Sequence, residues 1–481
     1  MKKLKVGFVG STQTNFGAGA SGGKEALFKA SVDELKRLAE EMCFSLFVYP
    51  DFLVTGDDAN RAMAAIEAEG VDFLLVQTVT FSAGEVIINL AKTNAMLGIW
   101  ALPEPSAEGS IFINSINSFC GLNMFGSIIH NYLKDHEIKY KWFYGNPGDL
   151  MFSRRFEITI KALDAIRKMR QSRVALIGGI APGFNDLYFD ERLAQKRLGV
   201  EIQRNHEFSE INKLALSYSA KEIESCVESL EGFSSIGEAS KENLEIHTRF
   251  YKAHMDFARE FNYDALAISC WPKMQEEQNG GLSCSVLGKL NQNGLPVACE
   301  GDLPGAVSML LQKYLTGYPT TLMDLSGISE EDQTILMWHC GPSPECYADE
   351  KGACLRYSVQ PTGDGEEKVL GLIADMVFKP QPVTVMRLTG EWDKILLLDG
   401  AIVPNQKCSP DGSRGWMGEL RLNRRCITVR DLVNTLLVHG FEHHYPMMAG
   451  DITEELMEVA AWLDLKPLEE VKYENYLQVV K

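Results

Sequence analysis

Short apolar runs alternate with longer helical patterns through the first third of the chain. Lys5–Val9, Ser45–Val48, Asp72–Val76 and Ile99–Leu102 read as strands, and Gly23–Met42, Ala59–Glu69 and Gly84–Met96 as the helices between them. Such alternation predicts a parallel sheet covered on both faces. A helix near Gly121–Leu133 and a strand at Lys141–Tyr144 complete this unit, and Gly145-Asn146-Pro147-Gly148-Asp149 marks a turn or linker. A second unit of the same type opens with an amphipathic helix over Phe152–Met169 and a strand at Val174–Ile180. Helices near Glu191–Leu198, Lys221–Ser229 and Lys241–Phe261 follow, then a strand at Ala265–Ser269. Beyond Pro344 the pattern changes. Val369–Phe378, Val383–Leu388 and Trp392–Leu398 are strand-like with no helix between them, and Thr389-Gly390-Glu391 and Leu398-Asp399-Gly400 read as hairpin turns. A helix at Asp431–Val438, stopped by Gly440, and one at Glu454–Leu463 follow.

The pattern predicts an α/β fold: two Rossmann-like parallel-sheet domains, residues 1–150 and 151–322, and a β-rich, barrel-like domain over 323–481. Ligands of such parallel sheets sit at the carboxyl ends of the strands. Gln77-Thr78-Val79-Thr80 is therefore a candidate ligand-contacting loop, beside the plainer reading of ordinary loop polarity.

The candidate chemistry gathers in Pro296–Pro344. Pro296–Cys299 delivers Glu300 at a strand end, Thr320–Met323 delivers Asp324, and Ile335–Met337 runs into Trp338-His339-Cys340. Asp302-Leu303-Pro304 reads as an N-cap with a proline in the first turn, opening a helix over Gly305–Leu315. Two carboxylates and an imidazole at strand ends can converge on one cation, and an oxygen-rich set with one imidazole suits Mn²⁺, Mg²⁺ or Fe²⁺ better than structural zinc. Taken singly, Glu300 also reads as a solvated loop acid, Asp324 as a turn residue and His339 as a core histidine. Downstream, His439, His443 and His444 fall just past a helix end. If Phe441–Tyr445 is extended, His443 and His444 point to opposite faces and only one of them reaches a given metal.

Composition narrows the options. The formal net charge of −18 argues against a nucleic-acid or anionic-membrane surface, and no apolar run is long enough to span a bilayer. Eleven cysteines without tight spacing suit reduced thiols and a cytoplasmic setting, and the basic start runs into strand-like sequence rather than a signal peptide. The glycine-rich stretches at Gly17–Gly23 and Gly178–Gly183 do not give the G-x-G-x-x-G spacing of a dinucleotide loop, and no H-E-x-x-H is present.

Cys299-Glu300-Gly301-Asp302 with Pro304-Gly305-Ala306, then Met323-Asp324, then Trp338-His339-Cys340-Gly341, then His443-His444, resembles the L-fucose/L-arabinose isomerase superfamily, closest to its short fucose-isomerase-like members. The resemblance also covers the domain plan. It implies an aldose–ketose isomerase with one Mn²⁺, or another divalent cation such as Mg²⁺, Co²⁺ or Fe²⁺, held by Glu300, Asp324 and His444. His339 stands where arabinose isomerases add a further histidine, as ligand or neighbour. His443, Trp271, Gln275, Trp416 and Gln77 fall among substrate contacts, with plain packing an equal reading for the two tryptophans. The family also implies a homo-oligomer, usually a hexamer, with its active site at a subunit interface.

By that resemblance Glu300 and Asp324 would move a proton between carbons 1 and 2 of an opened sugar through an ene-diol. Fucose, arabinose, related pentoses and hexoses, or the 6-sulfonated glucose sulfoquinovose, isomerised to sulfofructose, are all compatible. A sulfonate would need basic partners, for which Lys273, Arg421, Arg424 and Arg425 are candidates. A non-catalytic sugar-binding protein of two Rossmann-like lobes is the alternative, and the β-rich third domain stands against it.

Overall fold

The computed structural model describes residues 3–14, 16, 23–107, 110–111, 116–237, 239–274, 284–361, 367–404, 407 and 409–479. Most of the glycine-rich Gly17–Gly23 loop, and Gln275, lie outside the described residues. The chain is a mixed α/β protein of two compact units, Met1–Asp164 and Ala165–Lys481. No described helix is long and apolar enough to cross a membrane.

The first unit is built on a five-stranded, wholly parallel sheet in the order Ser45–Val48, Lys5–Ser11, Phe73–Thr78, Met96–Ala101, Tyr140–Tyr144. Its central strand, Phe73–Thr78, is buried along its whole length, as a strand covered on both faces must be. The expected helix Gly84–Met96 ends early, at Leu90. Met96 to Ala101 instead lie in parallel register along Phe73 to Thr78, a case of strand pairing overriding local helical pattern.

In the second unit a four-stranded parallel sheet runs Val297–Ala298, Ala265–Ile268, Arg173–Ile177, Glu201–His206. The Arg173–Ile177 strand is shorter than expected, because Gly178 and Gly179 take positive φ (78° and 84°) and turn the chain away. The Glu201–His206 strand and the Phe208–Ser217 helix have no counterpart in the sequence reading.

The same unit carries a large mixed sheet. Ser413–Leu422, Thr334–His339, Thr320–Ser329, His444–Ala449, Gln381–Leu388 and Lys394–Val403 are successive neighbours, and Lys394–Val403 pairs in turn with Ser413–Leu422. Met323, Met337, Val385, Leu396, Met417 and Met447 belong to the buried cluster of these strands. The turn expected at Leu398-Asp399-Gly400 does not exist: all three residues lie inside the Lys394–Val403 strand. Asp399 is buried and bonded by Arg421, and a Cβ on Gly400 would come within 2.4 Å of the Gly418 carbonyl. The Asp-Gly pair marks a close backbone approach between strands rather than a hairpin.

Candidate active site

The Val297–Ala298 strand ends in a tight reversal. Glu300 and Gly301 both hold positive φ, 60° and 74°. A Cβ at residue 301 would meet the Gly179 carbonyl oxygen at 2.3 Å, so glycine is required there. Glu300 is not glycine, and its left-handed backbone costs about 1–2 kcal/mol. Hydrogen bonds from Ala181 N–H to the Glu300 carbonyl and from Gly301 N–H to the Ile268 carbonyl, both 2.9 Å, hold the reversal in place. Strain of this kind at a carboxylate is characteristic of functional positions.

Asp302 then caps the next helix, Leu303–Thr316, accepting the Gly305 N–H at 2.9 Å, as the cap-and-proline signal predicts. It also does something the sequence did not reveal. Arg387, fully buried, clasps the Asp302 carboxylate through both terminal nitrogens, at 2.6 and 3.1 Å. The free face of that carboxylate meets His444 Nδ1 at 3.1 Å. The Arg387 and His444 charges hold the buried Asp302 carboxyl well below the usual range against the opposing effect of burial, and Asp302 and Glu442 raise Arg387 in return.

Asp324 and His444 are direct partners across the antiparallel strands Thr320–Ser329 and His444–Ala449, which puts their side chains on one face. His444 Nε2 lies 3.0 Å from Glu300 Oε2 and 3.6 Å from Asp324 Oδ1. The two carboxylates expected from the sequence therefore meet at one imidazole nitrogen. Burial alone would lower the His444 pKa, but its bonds to Asp302 and Glu300 raise it to about 9. Burial raises Glu300, and the His444 bond with the charges of His339 and His443 outweighs it, so the carboxyl titrates below its ordinary range.

His339 ends its strand with Nε2 4.0 Å from Asp324 Oδ1 and 3.2 Å from Cys299 Sγ. Burial lowers its pKa, and Asp324 and Cys340 bring it up to about 9. The expectation that His443 and His444 face opposite ways fails. The extended strand begins only at His444, so strand alternation does not reach His443, and the two rings stand 4.0 Å apart. His443 Nδ1 bonds Asp186 Oδ2 at 2.6 Å, and its backbone N–H donates to the same oxygen. Phe184 meets the His443 ring edge-on and stacks against Trp271, which is partly exposed.

Donor atoms of Glu300, His443 and His444 lie within 4.8 Å of one another, and so do those of Asp324, His339 and His444. Asp324 Oδ1 is buried without a hydrogen-bond partner, an arrangement that is costly for a carboxylate unless a cation or donor meets it. Carboxylate oxygens with imidazole nitrogens suit a divalent transition ion, so these residues fit the cofactor that the resemblance implies.

The other expected residues make contacts of their own. Gln77 belongs to the first unit, where it is buried and donates to Ser31 Oγ at 2.8 Å. Trp416 pairs with Leu336 and lines a cavity of about 350 Å³ with Val377, Phe378, Ile402 and Arg414. His439 bonds the Glu469 carbonyl. Arg421 and Arg424 are paired with Asp399 and Asp451, while Lys273 packs beside Gly178. Of the residues the sequence reading missed, Arg387 left the clearest signal: a lone charge in the apolar strand Gln381–Leu388.

No family model matches the chain. It is 24% identical over 430 residues to a sulfoquinovose isomerase of Priestia megaterium, covering 88% of this chain and 91% of that protein. It is 25% identical over 454 residues to a sulfoquinovose isomerase of Alkalicoccus urumqiensis, covering 91% and 95%. A sulfoquinovose isomerase of a Clostridium species matches at 25% over 449 residues, covering 91% and 94%. The similarity to sugar isomerases expected from the sequence thus extends along about nine-tenths of the chain, and with it the expectation of an aldose–ketose isomerase is borne out.

Proposed function

We propose that this protein is a metal-dependent isomerase that converts sulfoquinovose to sulfofructose through an ene-diol. The observation that carries the reading is the convergence of Glu300 and Asp324 on His444 Nε2, at 3.0 and 3.6 Å, in a chain whose curated relatives are named for that sugar. A divalent ion held by Glu300, Asp324 and His444 would supply Lewis-acid polarisation of the carbonyl and hydroxyl oxygens on carbons 1 and 2. The Glu300 carboxylate, kept ionised by His444, takes the proton from carbon 2 and returns it to carbon 1. Asp324 moves the proton between the two oxygens, which is why two carboxylates are needed. His443, Phe184 and Trp271 bound the space beside Glu300 and hold the sugar against it. The working form is a cytoplasmic homo-oligomer, in which N-terminal loops of one copy complete the site of another.

Incubation with sulfoquinovose and Mn²⁺, followed by NMR, should show the ketose with solvent deuterium at carbon 1. Ketose without any solvent deuterium would point to a hydride shift and remove the ene-diol. No ketose from any aldose, with or without Mn²⁺, would remove the activity.

A further inference from the structure

Among the described residues the cysteines are free thiols, and the sulfurs of Cys284 and Cys340 stand 3.3 Å apart, against the roughly 2.0 Å of a disulfide. Cys284 opens the helix Cys284–Gln292 and is fully buried. Cys340 follows His339 at the end of the Thr334–His339 strand and is half-buried. The sequence carries no sign of this pairing, because 56 positions separate the two residues.

Backbone packing on both sides sets that contact. Gly288, one helical turn after Cys284, lies directly on the segment that follows Cys340: a Cβ there would come within 2.5 Å of the Ser343 carbonyl oxygen. Asn291, on the same helix face, donates to the carbonyls of Pro342 and Val297 at 3.4 and 3.1 Å. From the other side Gly341, at φ 112°, would bring a Cβ within 2.7 Å of Ile373 Cβ, and the Ala374 N–H bonds the Gly341 carbonyl. The Cys340 segment is thus wedged between a helix and the Glu367–Val377 strand. Rotation about the two Cα–Cβ bonds is left to close the remaining gap.

We propose that Cys284 and Cys340 are an oxidation site, a dithiol that a hydroperoxide converts to an intramolecular disulfide beside His339. Cys340, the more exposed sulfur, attacks the peroxide; the O–O bond breaks, water leaves with the thiol proton, and Cys340 becomes a sulfenic acid. Cys284 then attacks that sulfur; the S–S bond forms, the S–O bond breaks, and a second water carries away the Cys284 proton. Two thiols and one hydrogen peroxide give one disulfide and two waters. The Cys284 bond and burial push the Cys340 thiol up, so thiolate is scarce and the first step is slow. A reduced form without thiolate stabilisation also makes the disulfide hard to reduce, which suits a lasting response rather than a fast one. Cys340 Sγ lies 3.1 Å from His339 Nδ1, so closing the disulfide draws that sulfur and its proton away from the ring.

The test uses the full chain, reduced, freed of reductant and exposed to hydrogen peroxide, after which remaining thiols are alkylated and the digest is mapped by mass spectrometry. Cys43, Cys120, Cys346 and Cys426 are exposed and react on their own account, so the readout is the identity of the linked pair, not total thiol loss. The wild type should yield a peptide pair joined through Cys284 and Cys340, lighter by two hydrogens and separated again by dithiothreitol. Cys284→Ser and Cys340→Ser should each abolish the link, and Cys270→Ser should keep it. The ¹⁵N signals of the His339 ring, assigned with His339→Gln, should shift on oxidation of the wild type and stay in place in Cys284→Ser. No link once the exposed thiols are consumed, a link formed only in denatured protein, or Cys340 recovered as a sulfinic acid with Cys284 still alkylated would overturn the proposal. All three are read in the wild type, so the test stands even if Cys284→Ser melts early. Turnover enters none of these readouts, and the result holds whether or not the chain isomerises a sugar.

Discussion

Asp302 holds His444 by its far nitrogen, Oδ2 to Nδ1 at 3.1 Å, with both residues fully buried and Arg387 clasping the same carboxylate. One side chain thus caps a helix, neutralises a buried guanidinium and aims an imidazole. Asp302→Asn keeps an acceptor for the Gly305 N–H but leaves Arg387 without its counter-charge. It should cost about 3–5 kcal/mol of stability and weaken Mn²⁺ binding roughly 10–100-fold. Asp302→Asn combined with Arg387→Met removes both charges, so part of the stability should return while the binding defect remains. Urea unfolding and Mn²⁺ titration read the two effects apart. A double variant no more stable than the single one would show that the ion pair is not the source of the loss.

Glu300→Gln preserves size and the accepting oxygen while removing the base. Turnover should fall by at least about 10²–10⁴-fold, the range general acid–base catalysis supplies, with weaker metal binding added. The reversal around Gly301 does not depend on the side chain, but the buried pairing with His444 loses its charge, so the melting temperature should fall. Single-turnover rates measured at saturating Mn²⁺ check the chemistry, and near-wild-type turnover would eliminate Glu300 as the base.

Glu300, Asp324 and His339 are legible because a short apolar run followed by a carboxylate or imidazole is a local pattern, although Asp324 lies inside the Thr320–Ser329 strand and not at its end. Their convergence with His444 was suggested only by resemblance, since it depends on which strands pair. Asp324 meets His444 through a register between segments more than a hundred residues apart. In sequence Asp302 reads as a cap alone, because a cap signal explains the residue fully within its own helix. Arg387 and Asp186 act on the cluster from distant strands and loops, and no local period marks such partners. His443 departs from the expected alternation for a simpler reason: the strand begins only at His444. In the same way Asp399-Gly400 looked like a turn because close approach of two strands selects the same residues as a hairpin.

Lys273 lies in the Cys270–Met274 turn, two residues past Trp271, and that turn follows the strand that pairs with Val297–Ala298. It is the basic candidate whose segment adjoins Glu300, whose backbone N–H bonds Cys270 Sγ at 3.3 Å. If it meets the sulfonate, Lys273→Ala forfeits one charge-assisted hydrogen bond, about 1.5–3 kcal/mol before solvent screening. The KM for sulfoquinovose should rise roughly 10-fold with kcat nearly constant, and glucose turnover should not change. Steady-state kinetics on the two sugars are sufficient. Equal effects on both would assign Lys273 to the fold rather than to the sulfonate.

Two histidines outside the site set the acid limit of stability. His247 and His254 lie on the buried face of the Lys241–Phe261 helix, and burial pushes both down to about 4 even though the Ser229 and Phe250 carbonyls favour the charged form. Between about 4 and the ordinary histidine value near 6.5 the unfolded chain binds these protons and the folded chain does not. Their contribution is therefore complete above about 6.5 and is lost as pH falls through that window. With two groups the slope approaches about 2.7 kcal/mol per pH unit at its steepest. Urea midpoints measured from pH 7.5 to 4.5 should fall accordingly. His254→Phe, which also removes a buried ring nitrogen without a partner, should halve the slope. A midpoint that stays flat across the window in the wild type would mean that these rings take up protons inside the folded protein.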